Sequence, residues 1–182
     1  MSQFEYVAIA VSLVLSFGVV RILNGFSHVL NGENRYWVHT LWVVVSLANF
    51  AVAWWGFWSA SDVPAWHLGS FLAALMYPAL LYVGAALLVP GDASRITRWR
   101  SHFYGVRRPL FLTYLVATVF ALGVGIVAAE WSTLELLGGS IFTAIYTVGL
   151  VSRDERVHRT LVIVALATFV AMYVPAIYIA SG

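Results

Sequence analysis

Leu110–Ala129 reads LFLTYLVATVFALGVGIVAA, a run with no charge, no proline and no polar side chain beyond two threonines and one tyrosine. A helix needs about 20 consecutive apolar residues to cross a bilayer. A barrel strand of the same reach would alternate apolar and polar positions. This run does not alternate, so it predicts a transmembrane α-helix, the only open-ended structure that satisfies its own backbone in lipid.

Working outward, five more stretches read the same way. They cover about residues 4–30, 36–58, 66–89, 134–151 and 157–180. The first is continuously apolar from Phe4 to Leu23 and extends to Leu30 before an Asn31-Gly32 stop. With 110–129 they predict an all-α membrane bundle of about six helices, a single transmembrane domain filling 1–182. Composition agrees: 62% of residues are hydrophobic, 10% are charged and mean hydropathy is +0.87. A water-soluble domain is about half apolar and a quarter charged. Little of the chain is left for a soluble catalytic domain, and the expectation is that it is not an enzyme.

Helix starts are marked as well. Ser2–Glu5, Ser132–Glu135 and Ser152–Glu155 each fit a capping box, and Asp62-Val63-Pro64 fits a helix start. Arginine placement gives direction. The segments after the first, third and fifth spans hold Arg35; Arg95, Arg98, Arg100, Arg107 and Arg108; and Arg153, Arg156 and Arg159. The opposite connections hold Asp62, Glu130 and Glu135 and no arginine. Basic loops stay in the cytoplasm, so both termini are expected outside. Ser2-Gln3-Phe4-Glu5 lacks the positive start of a secretory signal peptide. Trp37, Trp54, Trp55, Trp58, Trp66 and Trp131 fall near span ends, as an aromatic belt requires.

Several chemistries are excluded by residue type. The chain has no cysteine, hence no disulfide, thiolate metal site or cysteine nucleophile, and no lysine for a Schiff base. The formal charge of +2 gives no case for nucleic acid. No cofactor or metal is expected: His28 with His39 is the one thinkable intramembrane pair, and no histidine lies at mid-span.

The polar residues that remain define the candidates. Arg21 interrupts the first span, about 25 Å along it from Phe4, where it either snorkels to headgroups or serves a site. Asn24 and His28 follow on a similar face, and His39 and Asn49 on the second span complete a candidate polar vestibule. Between Asp92 and Tyr104, Ile96, Trp99 and Phe103 repeat at helical spacing, which predicts an amphipathic helix lying in the interface at about 92–104. There Arg95, Arg98, Trp99 and Arg100 would meet anionic headgroups. Ser140, Thr143 and Thr147 share a face of the fifth span, a pattern that interhelical hydrogen bonds commonly use. Thr113, Ala117, Ala121, Gly125 and Ala129 form a small-residue stripe on the fourth span, and Ala8, Ser12 and Ser16 one on the first. Such stripes join helices within a chain or between protomers.

The third and sixth spans echo one another: Met76-Tyr77-Pro78-Ala79-Leu80-Leu81-Tyr82 against Met172-Tyr173-Val174-Pro175-Ala176-Ile177-Tyr178. Tyr77, Pro78, Tyr173 and Pro175 are therefore candidate helix breaks. The echo fits a 3+3 inverted repeat, in which paired breaks mark a transport site, and equally a chance likeness between aromatic-rich helices.

Phe4-Glu5-Tyr6, Tyr36-Trp37-Val38-His39 with Leu41-Trp42, the Trp54-Trp55 pair, and Pro78, Leu81 and Tyr82 leading to Leu87-Leu88-Val89-Pro90 resemble a widespread family of small bacterial inner-membrane proteins without an established activity. The likeness covers the first half well and the second loosely. It implies a six-helix protein of a bacterial inner membrane and supplies no site residues. Small six-span cation channels are similar in size, but their Phe-Ser-Asp signature opens the first helix. Here Phe26-Ser27-His28 ends it and lacks the acid.

Three functions follow as expectations. The first is a homo-oligomeric channel or transporter for an ion or small solute. The second is an accessory or scaffold subunit of a larger membrane complex. The third is a lipid-acting membrane enzyme using inner-side histidines. In each, membrane lipids are the surrounding partner.

Overall fold

A computed structural model describes residues 2–30, 35–128 and 132–179, with side chains described through Val127 and from Ser132 to Tyr173 in the second half. Six helices carry the chain: α1 Gln3–Leu30, α2 Trp37–Gly56, α3 Leu68–Leu88, α4 Trp99–Ala128, α5 Thr133–Val151 and α6 Glu155–Ile179. A 3-10 turn at Phe57–Asp62 lengthens the end of α2, and a second, at Ala93–Arg95, follows α3 after a short non-helical stretch. All six helices are long and apolar enough to cross a membrane, and the described residues contain no strand. The fold is an all-helical, multi-pass membrane protein.

Two of the expected caps form. Ser2 Oγ accepts from the Glu5 amide while the Glu5 carboxylate accepts from the Ser2 amide. Ser132 and Glu135 repeat this at the start of α5. The other two starts differ. At α6 the cap is Asp154, whose carboxylate accepts from the Arg156 amide, because Ser152 is engaged in ending α5. α3 begins at Leu68, where Ser70 Oγ accepts from the His67 amide, while Asp62 belongs to the preceding 3-10 turn.

The largest departure from the sequence reading is α4. No separate interfacial helix occupies 92–104. The segment is a 3-10 turn, then a short irregular stretch, then the first turns of α4, which runs unbroken through Pro109. The spacing of Trp99 and Phe103 is the start of a buried stripe that continues through Arg107, Leu110, Phe111, Tyr114 and Ala117. A proline removes the hydrogen bond to the carbonyl four residues earlier and crowds that carbonyl, and transmembrane helices re-satisfy such groups locally. Pro78 likewise sits buried inside a continuous α3, and α6 runs on through position 175. Neither proline breaks its helix. The side chain of Pro175 lies outside the described residues, as do Asn31, Gly32, Glu33, Ala129, Glu130, Trp131 and Ala180.

The chain forms two compact units, Met1–Val106 and Arg107–Gly182. In the first, α1 packs mainly along α3 and also on α2. Its buried stripe is Val7, Val11, Leu15, Gly18, Ile22, Gly25 and Val29, a spacing of three and four residues. Ala8 and Ser12 lie at its edge and Ser16 is exposed, so the small-residue pattern is not the packing face. The two glycines are the close-approach points. A Cβ on Gly18 would lie 2.1 Å from Phe50 Cζ, and one on Gly25 would lie 2.1 Å from Val89 Cγ1.

In the second unit α5 is the glycine-bearing helix. A Cβ would lie 2.0 Å from Met172 Sδ at Gly138, 2.6 Å from Leu122 at Gly139 and 2.8 Å from Phe111 at Gly149. On α4, Ala117 and Gly125 are buried and Thr113 and Ala121 half-buried, so this small-residue stripe faces inward. Ser140, Thr143 and Thr147 each donate to the carbonyl four residues back, on Leu136, Gly139 and Thr143, not across to another helix. Trp54, Trp55 and Trp58 are exposed at the end of α2, in keeping with a belt.

Candidate functional site

Helix C-termini leave carbonyls without intrahelical partners. In a membrane protein those carbonyls need another donor, because unsatisfied backbone costs several kcal/mol in lipid. The end of α3 shows how this chain supplies it. His102 Nε2 lies 3.0 Å from the Leu87 carbonyl, His39 Nε2 lies 3.0 Å from the Leu88 carbonyl, and Arg21 Nε donates to the Val89 carbonyl at 2.9 Å. A carbonyl only accepts, so each imidazole Nε2 must carry the proton. Three consecutive carbonyls are thus closed by side chains from α4, α2 and α1.

Aromatic rings seal the cluster. His39 is fully buried, stacked on Trp99 at 4.8 Å between ring centroids, with His102 at 5.9 Å and Phe103 at 6.4 Å. The Trp99 indole donates to the His28 carbonyl at 3.0 Å, tying the last turn of α1 to α4. Tyr36 lies against Phe103 and Tyr104, and Arg100 sits over the Tyr104 ring at 5.7 Å.

The second unit repeats the device with other residues. Arg107 is 2% exposed. Its Nη1 donates to the carbonyls of Gly149 at 2.8 Å and Leu150 at 2.9 Å, and also to that of Ser152. His158, fully buried, brings Nε2 to 3.0 Å from the Ser152 carbonyl and stacks on Phe111 at 5.5 Å. An arginine and a histidine again close the end of one helix, here α5.

The candidate vestibule does not assemble. His39 is inside the first unit, whereas His28 and Asn24 have exposed side chains on α1 and Asn49 is half-buried on α2. Arg21 has both an internal bond and a place at the surface: its Nε holds Val89, and the residue lines an open groove of about 300 Å³ with Val14, Phe17, Val20, Asn24 and Tyr82. Of the expected headgroup residues, Arg95, Arg98 and Arg100 are exposed, and Arg95 pairs with Asp92 at 3.4 Å. Trp99 is not among them. At 3% exposure it belongs to the core, because its ring fills the space beside His39.

His39 and His102 are the nearest approach to a metal pair, but both present Nε2 to a carbonyl. Among the described residues no three His, Asp or Glu side chains gather as a metal set. Arg107 and His158 went unnoticed as structural groups in the sequence. The signal was there for Arg107, four residues beyond Phe103 and eight beyond Trp99 on the same stripe. Comparison with protein-family models, with characterised proteins and with solved structures finds no match to this chain.

Proposed function

We propose that this chain is a structural subunit of a larger membrane complex, seated in a bacterial cytoplasmic membrane with both termini outside. One observation carries the reading: among the described residues, the buried histidines and the buried arginine that a conduit would need are spent on the chain's own helix ends. His39 holds Leu88, Arg107 holds three carbonyls of the α5 end and His158 holds Ser152. Buried polar side chains bonded to the backbone of their own fold rigidify it and fix one arrangement. That is the property of a scaffold, whereas a translocating path needs polar groups able to exchange partners with a moving solute.

The competing reading is a channel or transporter. It rests on a vestibule and on two broken helices, and both lose support when His39 is sealed behind Trp99 and α3 runs unbroken through Pro78.

The test uses the full-length chain, tagged at its C-terminus and extracted gently from its own membrane. A fixed stoichiometric ratio to other membrane proteins through two purification steps is the expected result. Reconstituted alone, the chain should give ion and solute flux no higher than protein-free liposomes. Recovery only with copies of itself overturns the reading, and so does flux above background. Orientation is read separately, since a chain without cysteine accepts single labels. Ser2→Cys should react with an impermeant maleimide on intact cells and Ser101→Cys only after permeabilisation. The reverse pattern sinks the proposed direction.

A further inference from the structure

The groove beside Arg21 does not belong to either helix-end network, although it shares that residue. Its floor is α1 and its far wall is Tyr82 of α3. The Nε–Val89 bond fixes the guanidinium plane. Gly91 leaves space for it: a Cβ there would lie 3.3 and 3.5 Å from the two terminal nitrogens. Among the described residues, those two nitrogens, the Asn24 amide and the Tyr82 hydroxyl take no hydrogen-bond partner. Three polar side chains therefore line one opening, one of them a cation held by its bond to Val89.

The rest of the groove is apolar. Val14, Phe17 and Val20 continue it along α1, with Phe17 63% and Val20 51% exposed. From Val14 to Asn24 the groove spans about 15 Å at the helical rise. Arg21 stands about 25 Å along α1 from Phe4, near one face of a hydrocarbon core about 30 Å thick. A polar end at headgroup depth joined to an apolar trough within the core has the shape of one lipid molecule.

We infer that this groove binds an anionic phospholipid, its phosphodiester on the fork of Arg21 with Asn24 and Tyr82 donating, and an acyl chain along Phe17 and Val14. Arginine's two terminal nitrogens match two phosphate oxygens in a bidentate pair. One fixed cation suits a headgroup of net charge −1. A zwitterionic headgroup would add its own cation beside the guanidinium. The lipid is preferred over a free phosphate because the trough gives an acyl chain a surface that an ion would leave uncovered.

The experiment is native mass spectrometry of the purified full-length chain in detergent, titrated with phosphatidylglycerol, phosphatidylcholine or inorganic phosphate. One phosphatidylglycerol per chain should be retained where phosphatidylcholine is not. The double variant Asn24→Leu, Tyr82→Phe changes groups that carry no internal bond, so folding is preserved. It should weaken retention by about tenfold, equivalent to about 1.4 kcal/mol. Arg21→Gln should abolish selectivity between the two lipids, and Arg21→Lys should restore it only in part. Equal retention of both lipids by the unaltered chain overturns the inference, as does unchanged retention in the double variant. Displacement of the lipid by millimolar inorganic phosphate would assign the site to a free anion and overturn it as well.

Discussion

Arg107→Met is the sharpest test of how these helices are held. Methionine fills similar length without a donor, so the change removes the bonds to Gly149, Leu150 and Ser152 at a site 2% exposed. One Nη1 carries two protons, so the three carbonyls share at most two full hydrogen bonds. Hydrogen bonds to charged groups contribute about 1.5–3 kcal/mol each, giving about 3–6 kcal/mol for the pair. Neutral interhelical bonds in a membrane average only about 0.6 kcal/mol, which would give little more than 1 kcal/mol. The two figures are far enough apart to decide which regime applies. Steric-trap or reversible denaturant unfolding in bicelles measures the difference. A loss of about 3 kcal/mol or more is expected, with Arg107→Lys recovering part of it, since an ammonium reaches carbonyls but lacks the fork. A methionine variant within about 1 kcal/mol of the unaltered chain would refute the claim that this arginine is the clamp on α5.

Gly18→Ala places its methyl 2.1 Å from Phe50 Cζ, a position only a shift of α1 or of a buried ring can relieve. Overpacking of this kind costs about 1–3 kcal/mol. The companion change Phe50→Leu should recover much of it, and additive losses in the double-mutant cycle would mean the two residues do not meet. Gly123→Ala, with nothing within 4 Å of the new methyl, should be neutral or slightly stabilising in the same assay. Pro78→Ala should leave unfolding within about 1 kcal/mol, because α3 is already continuous there and alanine restores a backbone donor. A loss beyond about 2 kcal/mol would show that the ring itself is a packing element.

Six apolar runs predict six helices because span length is set by the bilayer, a one-dimensional constraint that a sequence expresses directly. Caps at Ser2 and Ser132 were legible for the same reason, as both partners lie within one turn. What failed was whatever depended on residues far apart in the chain. Arg107 reads as a loop charge until the carbonyls of α5, some forty residues later, are brought to it. His39 reads as a ligand until Leu88, 49 residues on, takes its Nε2. Gly18 and Gly123 are alike as letters in an apolar run, yet one meets Phe50 and the other meets nothing. Pro109 stands just before the apolar run at 110–129 and a proline weakens a helix locally, while the buried stripe that carries α4 through it is visible only over several turns. The groove beside Arg21 was half legible: the arginine and Asn24 were in view, and Tyr82 on another helix was not.

These placements also change how the charge asymmetry should be counted. Arg21 and Arg107 close helix ends and are held by backbone carbonyls, so they are not free to report on topology. The exposed arginines are Arg35, Arg95, Arg98, Arg100, Arg108, Arg153, Arg156 and Arg159, and each follows α1, α3 or α5 in the chain. Removing the two structural arginines leaves the one-sided pattern intact, so the proposed orientation does not lean on them. The same division accounts for a basic complement made only of arginine. Clamping a helix end calls for a cation whose donors stay in a fixed plane and which is weakly enough hydrated to be buried, and both belong to guanidinium more than to ammonium. For the exposed eight, either cation would satisfy the orientation rule.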